Sequence, residues 1–374
     1  MIAHFDSLQQ LLQGKTTDLP VFCFYPQRFR AAAQRFVADF PGEVLYAVKA
    51  NSHPEVLRWL VEGGIRAFDT ASIAEIELAR RILPGAHCSY NHPVKSRPAI
   101  AAAYRDHGIR DFVVDHLAEL DKLTAEVGTD IVVQVRVAAP NPHATVSFNS
   151  KFGARPEQAV ALLRVVCDRG MTPAVSTHIG YQTTDPDAYV QALQLIAQLV
   201  ANARLRPAYI NLGGGFPSIL MPKGLVLDNF FSAIAKAHAA LSGLAEVPLR
   251  CEPGSALTHA GGSVLAQVLL VKENSIFVND GLYGALAEFI HTRVQPPTRV
   301  LTSAGVERQG KSAQYTVFGP TCDSYDVLPV RFALPETICE GDWLDLAMMG
   351  AYSNVLITDF NGLGAHEYAT VSAH

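Results

Sequence analysis

The chain has 374 residues, more than a single hydrophobic core usually holds, which points to one large domain plus a second. With 49% hydrophobic and 17% charged residues, a formal net charge of -5 and no Lys/Arg cluster, the composition argues against a membrane span and a nucleic-acid groove. The 6 cysteines lack CxxC or Cys/His ligand spacing, which argues against a disulfide framework and a metal site.

The N-terminal "MIAHFDSLQQLLQGK" has no basic region followed by an apolar stretch and a cleavage site, so a cytoplasmic protein is expected. "LPVFCFY" comes next and is expected to add a strand to a β domain formed later in the chain. From Tyr46 to Gly254, β-type runs alternate with segments of helical period. The runs are "LYAVKA", "AFDTA", "HCSYN", "DFVVD", "IVVQVRV", "AVSTHIG", "YINLGGG" and "LRCEPG". Helices are expected between them, for example over 72–82 and 185–200. Eight such strands predict a (β/α)8 TIM-type barrel. After Gly254 the runs "SVLAQVLLV", "SIFVNDGLY", "AQYTVFGP" and "DWLDLAMMGAYS" are β-rich and broken by Pro and Gly. The expected organisation is a barrel over 25–254 and a C-terminal β-rich barrel or sandwich domain over 255–374, joined by 1–24.

Active-site residues of such a barrel sit at the C-terminal ends of its strands. Those ends carry Lys49, Asp69, Arg136, His178, Gly213, Gly214, Gly215 and Glu252. Read singly, Lys49 is either a lysine snorkelling from a strand end or, desolvated at the barrel mouth, a nucleophile for Schiff-base formation. Three glycines in "NLGGGFP" make either a tight turn or a backbone cradle for a phosphate. Glu252 either caps a turn or faces a protonated pyridine nitrogen, and His178 is either a core histidine or a ring lying on a cofactor. Together they fit pyridoxal 5'-phosphate (PLP) better than a nicotinamide, for which no GxGxxG opens an early helix.

The motifs "YAVKAN", "FDTAS", "SKFG", "HIG", "NLGGGFP", "EPG", "VNDGLYG", "GPTCDSYD", "MGAY" and "FNG" follow one another in an order that resembles the fold-type III PLP decarboxylases, which include ornithine, lysine and diaminopimelate decarboxylases. The resemblance implies a homodimer with shared active sites. In it Lys49 would hold the cofactor covalently, His178 would stack on its ring and Glu252 would pair with its nitrogen. Asp69 and Glu75 would support the lysine side of the site, Arg136 would help bind the cofactor, and Gly213, Gly214, Gly215 and Tyr352 would hold the phosphate. From the partner chain Cys322 would protonate the carbanion, with Asp323 at the substrate's distal group and Tyr283 and Phe360 lining the pocket.

The chain departs from the family at three places. Ser255 stands where the family usually has an arginine after "EPG", and Tyr181 where a serine usually follows "HxG", so both are expected to help hold the phosphate. An acid expected after "DGxYG" is also missing: a gap-free count falls at His291, Thr292 and Arg293, with Glu288 the nearest carboxylate. Arg293 is either a solvated rim residue or a partner for a distal carboxylate. The expected activity is decarboxylation of a basic or diamino acid of ornithine or lysine type, giving an amine and carbon dioxide. The alternatives are a substrate with a distal carboxylate, such as diaminopimelate or a siderophore-type citryl-diamino acid, an amino-acid racemase, or a catalytically silent family member.

Overall fold

In this computed structural model, which describes residues 2–146, 150–221 and 223–372, the eight apolar runs read from the sequence are the strands of a closed parallel barrel. In barrel order they are Leu249–Cys251, Glu43–Ala47, Ala67–Thr70, His87–Tyr90, Asp111–Val114, Val132–Val137, Thr172–Thr177 and Ile210–Asn211. Parallel strands are covered on both faces, which is why they read as short apolar runs rather than alternating ones. The helix Ile73–Ile82 is capped by the Ser72 hydroxyl, which accepts from the Glu75 peptide N–H at 3.3 Å. Asp187–Ala203 ends at Arg204, whose left-handed backbone (φ +57°) stops the helix.

The chain divides into two units, one formed by Ala32–Ala256 and the other by the residues up to Ala31 together with those from Leu257 onward. The first break falls inside the helix Pro26–Asp39 rather than at 25, because residues 25–31 pack with the β unit. There Tyr25 Oη lies 3.1 Å from Ser263 Oγ, and the Phe29 ring occupies the space that a side chain on Gly261 would need.

The second unit is built on a 9-stranded sheet. Val21–Phe24, from "LPVFCFY", is a strand of it, antiparallel to Gly262–Lys272 and parallel to Glu367–Val371. Leu8, Leu11, Leu12, Tyr25, Leu265 and Trp343 share one core there. Four strands went unread in the sequence: Ala3–Phe5, Thr298–Leu301, Phe332–Pro335 and Glu367–Val371. Among the described residues no helix is long and apolar enough to cross a membrane.

Candidate active site

The strand Glu43–Ala47 ends before Lys49, which lies in a 3₁₀ turn over Val48–Ala50. The turn lifts the lysine off the strand, so its side chain is 48% exposed and Nζ stands 3.9 Å from the buried Asp69 carboxylate. In the single chain the buried member of this pair is therefore Asp69 rather than the lysine. Glu75 spends one carboxylate oxygen on the Ala71 peptide N–H at 2.6 Å, holding the turn that follows Asp69. Burial is the main reason its carboxyl lies above the ordinary value, with Asp69 adding to it.

Glu252 follows the strand Leu249–Cys251. Its Oε1 accepts from Asn91 Nδ2 at 2.7 Å and from Asn211 Nδ2, whereas Oε2 has no hydrogen-bond partner among the described residues. Burial, and then the charge of Asp69, push its carboxyl up to about 8 against the pull of Lys49 and Arg136. His178 is held well below its ordinary value by burial and by the charges of Arg136 and Lys49. Its Nδ1 accepts from the Gly180 peptide N–H at 3.2 Å, which leaves Nε2 as the protonated nitrogen of a neutral ring. Arg136 is half-buried, with its guanidinium 5.5 Å from the Phe152 ring centroid.

The glycine run turns its carbonyls inward. Gly213 O accepts from the Glu252 peptide N–H (2.8 Å), Gly214 O from Tyr189 Oη (3.0 Å) and Gly215 O from the Thr183 peptide N–H (2.8 Å). No acceptor among the described residues engages the amides of Gly214 and Gly215. A Cβ on Gly214 would stand 2.6 Å from Glu252 O and 3.3 Å from His178 Nε2, so the loop closes only without side chains. Of the two residues where the family pattern is broken, Tyr181 is buried and its backbone is bridged to Val146, and Ser255 opens the short helix Ser255–Thr258.

The remaining predicted residues belong to the β unit, which gathers a second set. Tyr283 Oη donates to Asp323, its ring lies 4.9 Å from that of Phe360, and the Cys322 peptide N–H donates to Asn361 Oδ1 at 3.1 Å. The hydrogen bond from Tyr283 holds the Asp323 carboxyl below its ordinary value. Buried Asp326, at the end of "GPTCDSYD", fixes this loop by accepting from the Thr321 and Leu282 peptide N–H groups at 3.1 and 2.8 Å. Tyr352 sits in a turn of this unit with φ +57°.

His291, Thr292 and Arg293 stand apart from that set: among the described residues none makes a hydrogen bond, ion pair or ring contact with it. Thr292 is buried, with its hydroxyl on Glu288 O at 3.4 Å, and Arg293 donates to Ile290 O at 3.4 Å. Glu288 is itself buried against His259 Nε2 at 3.0 Å. Sequence reasoning missed Asn91, Gln134 and Asn211; the signal available was an amide side chain inside or just after an apolar barrel strand.

The barrel mouth thus presents an amine, a neutral imidazole, a carboxyl group with one free oxygen and a loop of unused amides, a donor set suited to an aromatic cofactor carrying a carbonyl, a basic ring nitrogen and a phosphate. Residues 26–259 match the family model for the pyridoxal binding domain of pyridoxal-dependent decarboxylases. The chain is 31% identical over 331 residues to a lysine/ornithine decarboxylase of Selenomonas ruminantium, covering 85% of this chain and 81% of that one. The crystal structure of an arginine decarboxylase from Paramecium bursaria Chlorella virus, bound to agmatine, superposes with a TM-score of 0.85 at 25% identity, covering 95% of this chain and 96% of that one. A lysine/ornithine decarboxylase from Vibrio vulnificus, solved with cadaverine, gives 0.81 at 28% identity, covering 95% and 94%. The chain belongs to the pyridoxal-dependent decarboxylases, and it is an amino-acid decarboxylase that uses PLP.

Proposed function

We propose that the substrate is a basic or diamino acid of ornithine or lysine type, converted to an amine and carbon dioxide in a site completed by a second copy of the chain. The observation that carries this reading is Asp323, a carboxylate kept ionised by Tyr283 beside Cys322 and Phe360. An anion so placed suits a distal ammonium, which needs a charged partner once desolvated. Arg293, turned to its own helix, lends no support to a distal carboxylate.

Lys49 would hold the cofactor covalently, His178 would lie on its ring, and the Gly214 and Gly215 amides would take the phosphate with Tyr181, Ser255 and Tyr352. When bound, PLP supplies an electron sink for the carbanion left by departing carbon dioxide. Glu252 governs the proton at the ring end: Oε1 is committed to two amide donors, so Oε2 is the atom that keeps or releases it. Asp69 orients the Lys49 amine. Cys322, exposed in the β unit, would deliver the proton that completes the amine, the chemistry of a general acid. Three of the six free cysteines are exposed, which fits a reducing, cytoplasmic setting.

The test is borohydride reduction of the holoenzyme with peptide mapping, followed by carbon dioxide release from ornithine, lysine, arginine, diaminopimelate and citryl-diamino acids. Cofactor on Lys49 and turnover of the unacylated basic acids are expected. Turnover of diaminopimelate or a citryl conjugate alone would overturn the substrate assignment.

A further inference from the structure

Glu252 is one end of a hydrogen-bonded row that runs inside the barrel to the opposite ends of its strands. Asn91 Oδ1 accepts from Gln134 Nε2 at 2.7 Å, and Gln134 Oε1 accepts from Asn211 Nδ2 at 3.0 Å. The second N–H of Gln134 goes to Asp111 Oδ1 at 3.0 Å. Asp111, first residue of its strand, also accepts from Tyr209 Oη and Arg250 Nη1, both at 2.6 Å, and lies 3.6 Å from His87 Nε2. Arg250 and His87 reach Glu43 at 2.7 and 3.5 Å. Gln134 and Asn211 are fully buried and Asp111 nearly so.

An amide can be turned round, but this row has only one consistent sense because both of its ends are fixed. Asp111 faces a guanidinium: burial pushes its carboxyl up, yet the His87 bond and the Arg250 charge outweigh burial and keep it ionised, hence acceptor-only. Gln134 must therefore turn its NH2 to Asp111 and its oxygen to Asn211. At the other end the Gly213 peptide N–H, which can only donate, holds Asn211 Oδ1 at 3.0 Å. Both remaining NH2 groups, of Asn91 and Asn211, then point at Glu252 Oε1.

We propose that Gln134 and Asp111 are positioning residues for the reaction: the ionised Asp111 sets the sense of Gln134, and Gln134 turns the Asn91 NH2 onto Glu252 Oε1 beside the Asn211 NH2 that Gly213 already holds there, so that proton exchange is confined to Oε2. The charges facing Glu252 directly are Asp69, Lys49 and Arg136, and none of these belongs to the row. Only the last arm of the test rests on the assignment of Glu252 to the cofactor's ring nitrogen.

The test follows the carbonyl stretch of the protonated Glu252 carboxyl in the full-length, cofactor-free chain by infrared difference spectroscopy against pH, with the band identified by its loss in Glu252→Gln. Gln134→Met frees the Asn91 donor on Oε1, while Asn211 stays held by Gly213, and should raise the midpoint by about one pH unit, the scale of one hydrogen bond to a charged group. Asp111→Asn presents an N–H to Gln134 once Arg250 has taken its oxygen, so it should also raise the midpoint. Loss of the Asp111 charge alone would lower it. An unchanged or lowered midpoint in a folded variant overturns the proposal. In the unmodified chain the Gln134 side-chain NH2 should exchange with solvent far more slowly than an exposed amide, and fast exchange would overturn it even if neither variant folds. In the holoenzyme the variants should move the pH midpoint of the cofactor's visible absorbance the same way. A shift in the cofactor-free chain without one in the holoenzyme would keep the row and remove Glu252 from the ring nitrogen.

Discussion

At the scale of single residues, Lys49, His178 and Glu252 were legible because an ionisable side chain at the end of an apolar strand carries its own chemical signature. Asn91, Gln134 and Asn211 were not, since a neutral amide says nothing until its neighbours are known. Nor could the sequence show that Lys49 leaves the strand two residues after Ala47, because that turn depends on Asn51 closing it through Val48 O. The Glu252 carboxyl, pushed up to about 8 from an ordinary 4.5, also makes a prediction about folding. Between those values the folded, cofactor-free chain binds a proton that the unfolded chain has lost, so this group lowers stability as pH rises through the window. Glu252→Gln should remove that part of the slope, gaining stability relative to the unmodified chain at about pH 8 but not at about pH 5. Urea unfolding at the two pH values measures it, and parallel slopes would contradict it.

Among the elements, the barrel strands were readable because burial on both faces leaves an uninterrupted apolar run between turn residues. The four unread strands lack that signal. Ala3–Phe5 is short and largely exposed, and it is a strand only because Glu367–Val371, at the other end of the chain, pairs with it. The glycine run after Ile210–Asn211 carries the clearest element-scale prediction. Gly214→Ala places a methyl group against the Glu252 carbonyl, a backbone atom that cannot swing away. The loop must shift, and its free amides with it. Cofactor affinity in equilibrium dialysis should fall on the order of ten-fold, the factor carried by ~1.4 kcal/mol. Affinity equal to the unmodified chain would mean that these amides do not hold the phosphate.

For the whole molecule, the residues the family motifs single out fall into two sets, one in each unit. The barrel set has the means to hold PLP, and the β-unit set has an exposed thiol next to a carboxylate that Tyr283 keeps ionised. The order of motifs announced both sets, and a site shared between copies is implied by the resemblance to the family rather than by any periodicity in the chain. In the proposed reaction Cys322 and Asp323 act on the cofactor held by Lys49 of another copy. Two inactive variants, Lys49→Ala and Cys322→Ala, decide this when their subunits are mixed and allowed to exchange, with the amine product as readout. Each mixed dimer has one intact site out of two, so an equal mixture should recover roughly a quarter of the unmodified yield, the value symmetry dictates for random pairing. No recovery, with exchange demonstrated independently, would contradict the shared site.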